Sequence, residues 1–157
     1  MLARGLLPAS TNADYGGSGL SVVFRGSGAV GAPYRGLLHC GLPEGAAGVS
    51  AGIDLPTRRE TIVGVFAWYG ALQIPHGLAQ LAVAVRYRNL VPLFLALVVL
   101  ERGLVGLDAW FGRGAGGHHP PEHYTTVAHT ALAVVFLILS LRPRRRSTHD
   151  HPAATAP

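Results

Sequence analysis

An uncharged apolar segment, residues 61–85, carries four polar side chains at a regular spacing. They are Tyr69, Gln73, His76 and Gln80, separated by four, three and four residues. This spacing places all four on one face of a helix. Because lipid cannot hydrogen-bond such groups, we predict that this face points into a helical bundle or a wet cavity. Packing between helices and a ligand or proton site are both compatible with this pattern.

The next apolar segment, residues 90–111, contains the charged side chains Glu101, Arg102 and Asp108. Glu101 and Asp108 are seven residues apart and therefore share a face. At a bilayer centre Glu101 and Arg102 would cost about 3 kcal/mol each, against about −6 kcal/mol from the Leu, Val and Phe residues. The segment is therefore marginal alone and needs a partner. An ion pair is one reading of these charges, and a proton or cation site is the alternative.

The depth of the charged residues predicts one specific pair. At about 1.5 Å of rise per residue, His76 and Glu101 lie within roughly 6 Å of each other in depth if their helices run in opposite directions. We therefore predict that His76 and Glu101 face each other, with Arg102 as the competing partner of Glu101.

A histidine-rich motif, HHPPEH, occupies residues 118–123. From its second histidine it contains the letters H-x-x-E-H of the inverted zincins. However, the two prolines oppose a continuous helix through that histidine. Pro121 instead suits the first position of a helix, with Glu122 favourably placed near its N-terminal end. A zinc or copper site is the alternative reading, because imidazoles suit both metals. Its candidate ligands are His118, His119 and His123.

Three apolar segments position these residues, at about 61–85, 90–111 and 124–141. The first two are long enough to cross a hydrocarbon core of about 30 Å, and the third is at the short end of that range. His129 lies near the start of the third segment, as either a packing residue or a ligand. The chain is 49% hydrophobic and only 13% charged, whereas a soluble domain carries about 25% charge. We predict an all-α integral membrane helical bundle with three transmembrane helices within residues 53–142.

The flanking regions have a different composition. Residues 1–52 are rich in Gly and Pro and have no run of spanning length, so we predict that they are disordered. Residues 143–157 form a basic and then Pro/Ala-rich tail. A single cysteine, Cys40, excludes an intramolecular disulfide framework and a cysteine-rich zinc module.

The arginines predict the orientation in the cell membrane. Six of them lie in the turn after the first segment and directly after the third, so the positive-inside rule places both regions, and the C-terminus, in the cytoplasm. Three spans would then put the N-terminus outside, with Arg58 and Arg59 on the outer side. Nucleic-acid binding is not expected, because no aromatic residue interleaves with the terminal arginines.

Residues 52–142 include the stretches WYGALQIPHG, RYRNLVPLFLALVVLERG and HHPPEHY. This part of the chain resembles a group of small, uncharacterised bacterial membrane proteins. The resemblance implies a compact helical bundle, often with four spans, so one helix would be lost or replaced in the first third of this chain. It implies no activity and no catalytic residues.

The sequence thus favours a non-enzymatic structural or accessory membrane component. Its expected partners are the lipid bilayer and either further copies of itself or another membrane protein, with no cofactor. One alternative is a proton- or cation-translocating bundle that uses His76, Glu101 and Asp108. Another is a membrane metalloprotein that uses the three motif histidines. The sequence contains no nucleophile elbow, Walker loop or dinucleotide fingerprint.

Overall fold

The computed structural model describes residues 8–47, 58–112 and 119–142. The described residues form four α-helices and no strand: α1 (Gly19–Gly41), α2 (Arg59–Arg86), α3 (Val91–Phe111) and α4 (Pro121–Leu141). Two short 3-10 helices, Asn12–Asp14 and Arg88–Leu90, precede α1 and α3. The prediction of an all-helical chain is confirmed.

Helices α2, α3 and α4 correspond to the three predicted segments. Among the described residues, two helical stretches are long and apolar enough to cross a membrane, Arg88–Phe111 and Pro121–Leu141. Helix α2 is longer, with 28 residues, but its hydropathy is reduced by polar residues such as Gln73 and His76 and by Pro75. Helix α4 begins at Pro121, as predicted, since proline suits the first turn.

Helix α1 corrects the expectation of disorder in residues 1–52. That expectation is wrong for Gly19–Gly41, which form a 23-residue helix capped by Ser18, whose hydroxyl accepts a hydrogen bond from the Leu20 N–H at 3.2 Å. Glycine disfavours an isolated helix by about 1 kcal/mol per residue relative to alanine, so this helix depends on packing. The parts of the prediction that concern residues 1–7 and 48–52, and the prediction of a tail at 143–157, fall outside the described residues.

The packing that stabilises α1 is a close approach to α2. A Cβ atom added at Gly70 would lie 2.6 Å from the Cβ of His39 and 2.8 Å from the carbonyl oxygen of Gly36. One added at Gly77 would collide with the ring of Pro33. The glycines therefore let the two backbones touch, the device by which small residues bring helices together in membranes.

The four helices form two closely packed pairs, α1 with α2 and α3 with α4. At one end of the molecule, residues before α1 contact the other helices: the Thr11 N–H donates to the Arg86 carbonyl at 3.0 Å, and the Ser18 N–H donates to the Leu139 carbonyl at 3.4 Å. The start of α1, the α2–α3 turn and the end of α4 therefore lie together. Successive helices thus alternate in direction.

The outer surface of the described helices is strongly apolar, and their interior contains several polar and charged side chains beside apolar ones. Large apolar side chains are exposed on all four helices; Val23 on α1 is 68% exposed, Trp68 on α2 69% and Leu100 on α3 59%. A small apolar core, Val83, Val91 and Leu95, lies near the α2–α3 turn. The buried polar or charged residues are Ser21, Arg25, His39, Gln80, Thr126 and Ser140.

Candidate functional site

A cavity of about 780 Å³ lies between the two helix pairs, with residues of all four helices in its wall. Its volume falls within the range of roughly 300–1,000 Å³ that is typical of small-molecule pockets. Much of the wall is polar or ionisable. These side chains are Arg25, Ser27, Tyr34, Arg35, His39, Tyr69, Gln73, His76, Gln80, Glu101, Arg102, Asp108, Glu122, His123, Thr125, Thr126 and His129.

The structure brings all eight residues of the predicted polar seam to this cavity. Four come from α2, three from α3 and one from α4. The polar faces that were predicted from helical spacing therefore line the same cavity. The eight residues are Tyr69, Gln73, His76, Gln80, Glu101, Arg102, Asp108 and His129. The side-chain oxygen of Gln73 is buried and has no hydrogen-bond partner among the described residues.

The predicted pairing of His76 with Glu101 is present. Nε2 of His76 lies 3.7 Å from one carboxylate oxygen of Glu101, and Nη2 of Arg102 lies 3.3 Å from the other. Glu101 thus contacts both His76 on α2 and Arg102, its neighbour on α3. The two residues that were predicted to compete for Glu101 contact it at the same time. His76 and Glu101 remain partly exposed to the cavity, so they can also contact whatever enters it.

Two helices that are distant in sequence are joined by a second ion pair. An Nη atom of Arg35, on α1, contacts a carboxylate oxygen of Glu122, in the first turn of α4. The sequence reading placed Glu122 at the helix start, where it is found, but missed this partner. Arg35 was missed because it lies in the region that was expected to be disordered.

Arg25 is the second residue that the sequence reading missed. It is only 2% exposed, and its Nε and Nη2 have no hydrogen-bond partner among the described residues. Glu101 and Arg102 interact with it electrostatically at longer range. A signal was available: the buried face of α1 includes Ser21, Arg25 and Ala29, at helical intervals of four residues.

The histidine motif is only partly described, because His118 falls outside the described residues. His119 and His123 come together, with their Nδ1 atoms 3.1 Å apart, and the His119 ring stacks on Trp110 at 4.4 Å between centroids. Within the described residues, no group of three or more His, Cys, Asp or Glu side chains could hold a metal ion. The described part of the motif therefore supplies two imidazoles, either hydrogen-bonded to each other or facing a common ion.

An aromatic cluster borders the cavity beside His129. Phe24 of α1 stacks on Phe136 of α4 with ring centroids 4.4 Å apart, and lies 5.4 Å from the His129 ring. The Ser21 hydroxyl, one turn before Arg25, donates to the Phe136 carbonyl at 2.8 Å. These contacts hold α1 against α4 at the level of Arg25.

Comparison with known proteins adds no relative: no protein-family model, curated protein or solved structure matches this chain.

Proposed function

We propose that this protein is an integral membrane bundle of four spanning helices that acts as a non-enzymatic binding component, with its polar cavity as the binding site. The observation that carries this proposal is the apolar outer surface around a polar cavity: large apolar side chains cover the outside of all four helices, and charged and polar side chains line much of the cavity wall. A soluble bundle has the opposite arrangement.

The energetics support a lipid environment for α1 and α2 as well as for the two more apolar helices. A large apolar side chain left in water forgoes about 1.5–3 kcal/mol relative to its burial. Within the described residues 28 large hydrophobic residues are exposed, and all but Tyr34, Tyr69 and Val105 lie outside the cavity wall. Lipid contact recovers this free energy. The polar side chains, which lipid cannot satisfy, have each other and the cavity instead.

Four spans change the predicted side of the N-terminus, while Arg58 and Arg59, at the start of α2, stay on the side opposite Arg86. With alternating directions, the start of α1, the α2–α3 turn and the end of α4 share one side, and Arg86, Arg88 and Arg142 lie at that end. The positive-inside rule favours the cytoplasm for this side. Both ends of the described chain are then cytoplasmic, in place of the external N-terminus that three spans require.

Quenching of tryptophan fluorescence by brominated acyl chains tests the membrane placement. Trp68 lies about 14 Å along α2 from its first residue and is exposed on the outer face. In liposomes, the Trp110→Phe variant, which retains Trp68, should be strongly quenched by bromines near mid-chain. The Trp68→Phe variant retains Trp110, whose ring stacks on His119 near the end of α3, and should be quenched less. Absence of quenching at Trp68 would contradict the proposal.

Proton translocation is a second candidate function, favoured by the contact between His76 and Glu101. A histidine and a carboxylate 3.7 Å apart at a polar cavity can exchange a proton with groups or water inside it. The test is proton flux into proteoliposomes, which Glu101→Gln should abolish. Glu60→Gln is the matched control, because Glu60 is exposed in the first turn of α2 and is absent from the cavity wall. Flux that survives Glu101→Gln would exclude this mechanism.

A further inference from the structure

The pattern of ion pairs around the cavity distinguishes Arg25 from the other charged side chains in its wall. Glu122 is paired with Arg35, and Glu101 with both Arg102 and His76. Asp108 also has a partner. Among the ion pairs of the described residues, none includes Arg25.

The burial of Arg25 makes this lack of a partner costly. An ionised side chain removed from water loses several kcal/mol of solvation free energy, even after relaxation of its surroundings. For Arg25 the attraction of Glu101, which Arg102 and His76 already contact, offsets only part of that loss. Arg25 lies about 9 Å along α1 from Gly19, and Gln80 lies the same distance along α2 from Arg86, so both are well inside the bundle. A guanidinium at this depth is stabilised most by a negative charge that reaches it through the cavity.

The two unpartnered nitrogens of Arg25 indicate which anion suits it. Nε–H and one N–H of Nη2 point side by side from one edge of the guanidinium plane. That edge matches the two oxygens of a carboxylate or phosphate, with which arginine forms paired, charge-assisted hydrogen bonds. In the structure both nitrogens are covered by the wall, so a ligand would engage them after the guanidinium turns towards the cavity.

The neighbourhood of Arg25 offers a further polar contact. A Cβ added at Gly28 would lie 3.8 Å from Nη1 of Arg25 and 4.0 Å from the side-chain oxygen of Gln80, so both side chains border the same small patch of α1. The absence of a side chain at Gly28 leaves this patch uncovered. The cavity wall also includes apolar side chains, among them Phe66, Val98 and Val105, which suit the body of an organic anion.

We propose that the cavity binds an oxyanion, the carboxylate or phosphate group of a small molecule or a membrane amphiphile, with Arg25 as its principal contact. This inference rests on the proposed function, since it names the ligand class of the same cavity. Gln80 assists by donating a hydrogen bond from its carboxamide nitrogen, which must turn towards the anion in place of the carboxamide oxygen that now lies near Gly28. The pairing of Arg102 with Glu101 leaves Arg25 as the cation that the anion neutralises.

Thermal unfolding of the full chain in detergent tests this proposal with four added compounds. Octanoate has a carboxylate and an apolar chain, acetate and inorganic phosphate have the anion without a chain, and octanol has the chain without a charge. We expect at least one of the three anions to raise Tm saturably, because a ligand that binds the native state stabilises it. A larger increase in Tm with octanoate than with acetate and phosphate would identify the ligand as an amphiphile. A larger increase with acetate or phosphate would identify it as a soluble anion.

Substitutions then assign the binding to Arg25. Arg25→Met should weaken the apparent affinity about 10- to 100-fold, the loss expected for hydrogen bonds to a charged group. Arg25→Lys keeps the charge without the paired donors and should give an intermediate loss. Arg59→Gln makes the same charge change as Arg25→Met at an exposed site outside the cavity and should leave the affinity unchanged.

Two controls keep the result interpretable. Removal of an unpaired buried charge should leave Arg25→Met at least as stable as the wild type without ligand; if that variant does not fold, Arg25→Lys carries the comparison. Equal anion effects in wild type and folded Arg25 variants, no saturable effect of any anion, or an octanol effect equal to that of the most effective anion would each overturn the proposal. These failures would leave the quenching of Trp68, and with it the membrane placement, unaffected.

Discussion

Substitution of Gly70 by alanine tests the contact on which α1 depends. The added methyl group would lie 2.6 Å from the Cβ of His39, 2.8 Å from the carbonyl oxygen of Gly36 and 3.3 Å from Sγ of Cys40. Favourable contacts between carbon atoms lie at about 3.5–4.0 Å. The first two contacts involve a Cβ and a backbone atom, which no side-chain rotation can move, so α1 and α2 must separate by about 1 Å.

The expected cost follows from this geometry. Overpacking by a single group typically destabilises a protein by about 1–3 kcal/mol. Because the obstructing atoms at Gly70 are fixed to the backbone, we expect a loss in the upper part of that range, about 2–3 kcal/mol. In a chain of this length, such a loss corresponds to a decrease in Tm of roughly 5–10 °C.

Gly64→Ala is the matched control, since it makes the same change in the same helix. A Cβ at Gly64 has no atom within 4 Å, and alanine favours the helix by up to about 1 kcal/mol. Thermal unfolding in detergent, followed by circular dichroism, should therefore give Gly64→Ala a Tm equal to or above that of the wild type. If Gly70→Ala and Gly64→Ala unfold at the same temperature, α1 does not pack on α2 as described.

Three further predictions concern the pairing, the topology and the metal alternative. The effects of His76→Ala and Glu101→Gln on the free energy of unfolding should be non-additive by about 0.6–1.7 kcal/mol, the range of polar pairs between membrane helices. We expect a value in the lower half of that range, because Glu101 has a second partner in Arg102. Additivity within about 0.3 kcal/mol would refute the pairing. Fluorescent proteins fused at either end of the chain should both fluoresce in the cytoplasm, and a reporter active only outside should work when inserted near Gly116, whereas opposite sides for the two ends would restore an odd number of spans. Metal analysis of the purified protein should find less than one zinc or copper ion per chain, and one ion per chain would establish the metalloprotein alternative.

The polar seam could be predicted because its signal is local. Tyr69, Gln73, His76 and Gln80 recur at helical spacing within one apolar segment, and helix geometry alone brings them to one face. The proximity of His76 and Glu101 followed from helix rise and opposite direction, which need only the order of two neighbouring segments. Neither inference required knowledge of a distant part of the chain.

The contacts of α1 could not be predicted in this way. Arg35 pairs with Glu122 across 87 positions of sequence, and Arg25 occupies a cavity wall whose other residues come mainly from the later helices. Once residues 1–52 were expected to be disordered, both arginines were excluded from the site. The regular spacing of Ser21, Arg25 and Ala29 was the available signal, but the glycines around it obscured the helix.

The sequence by itself therefore determined the helical segments from α2 to α4, their polar faces and the concentration of arginines near two of their ends, because apolar length, helical period and charge position are properties of short stretches. Only the tertiary structure decided that a glycine-rich stretch is helical and supplies a buried arginine, Arg25, to the interior. The physical reason is that glycine has a poor intrinsic preference for helix but permits the closest approach of two backbones. That stabilisation arises only when α2 is present as the partner, so it depends on a contact between distant parts of the chain.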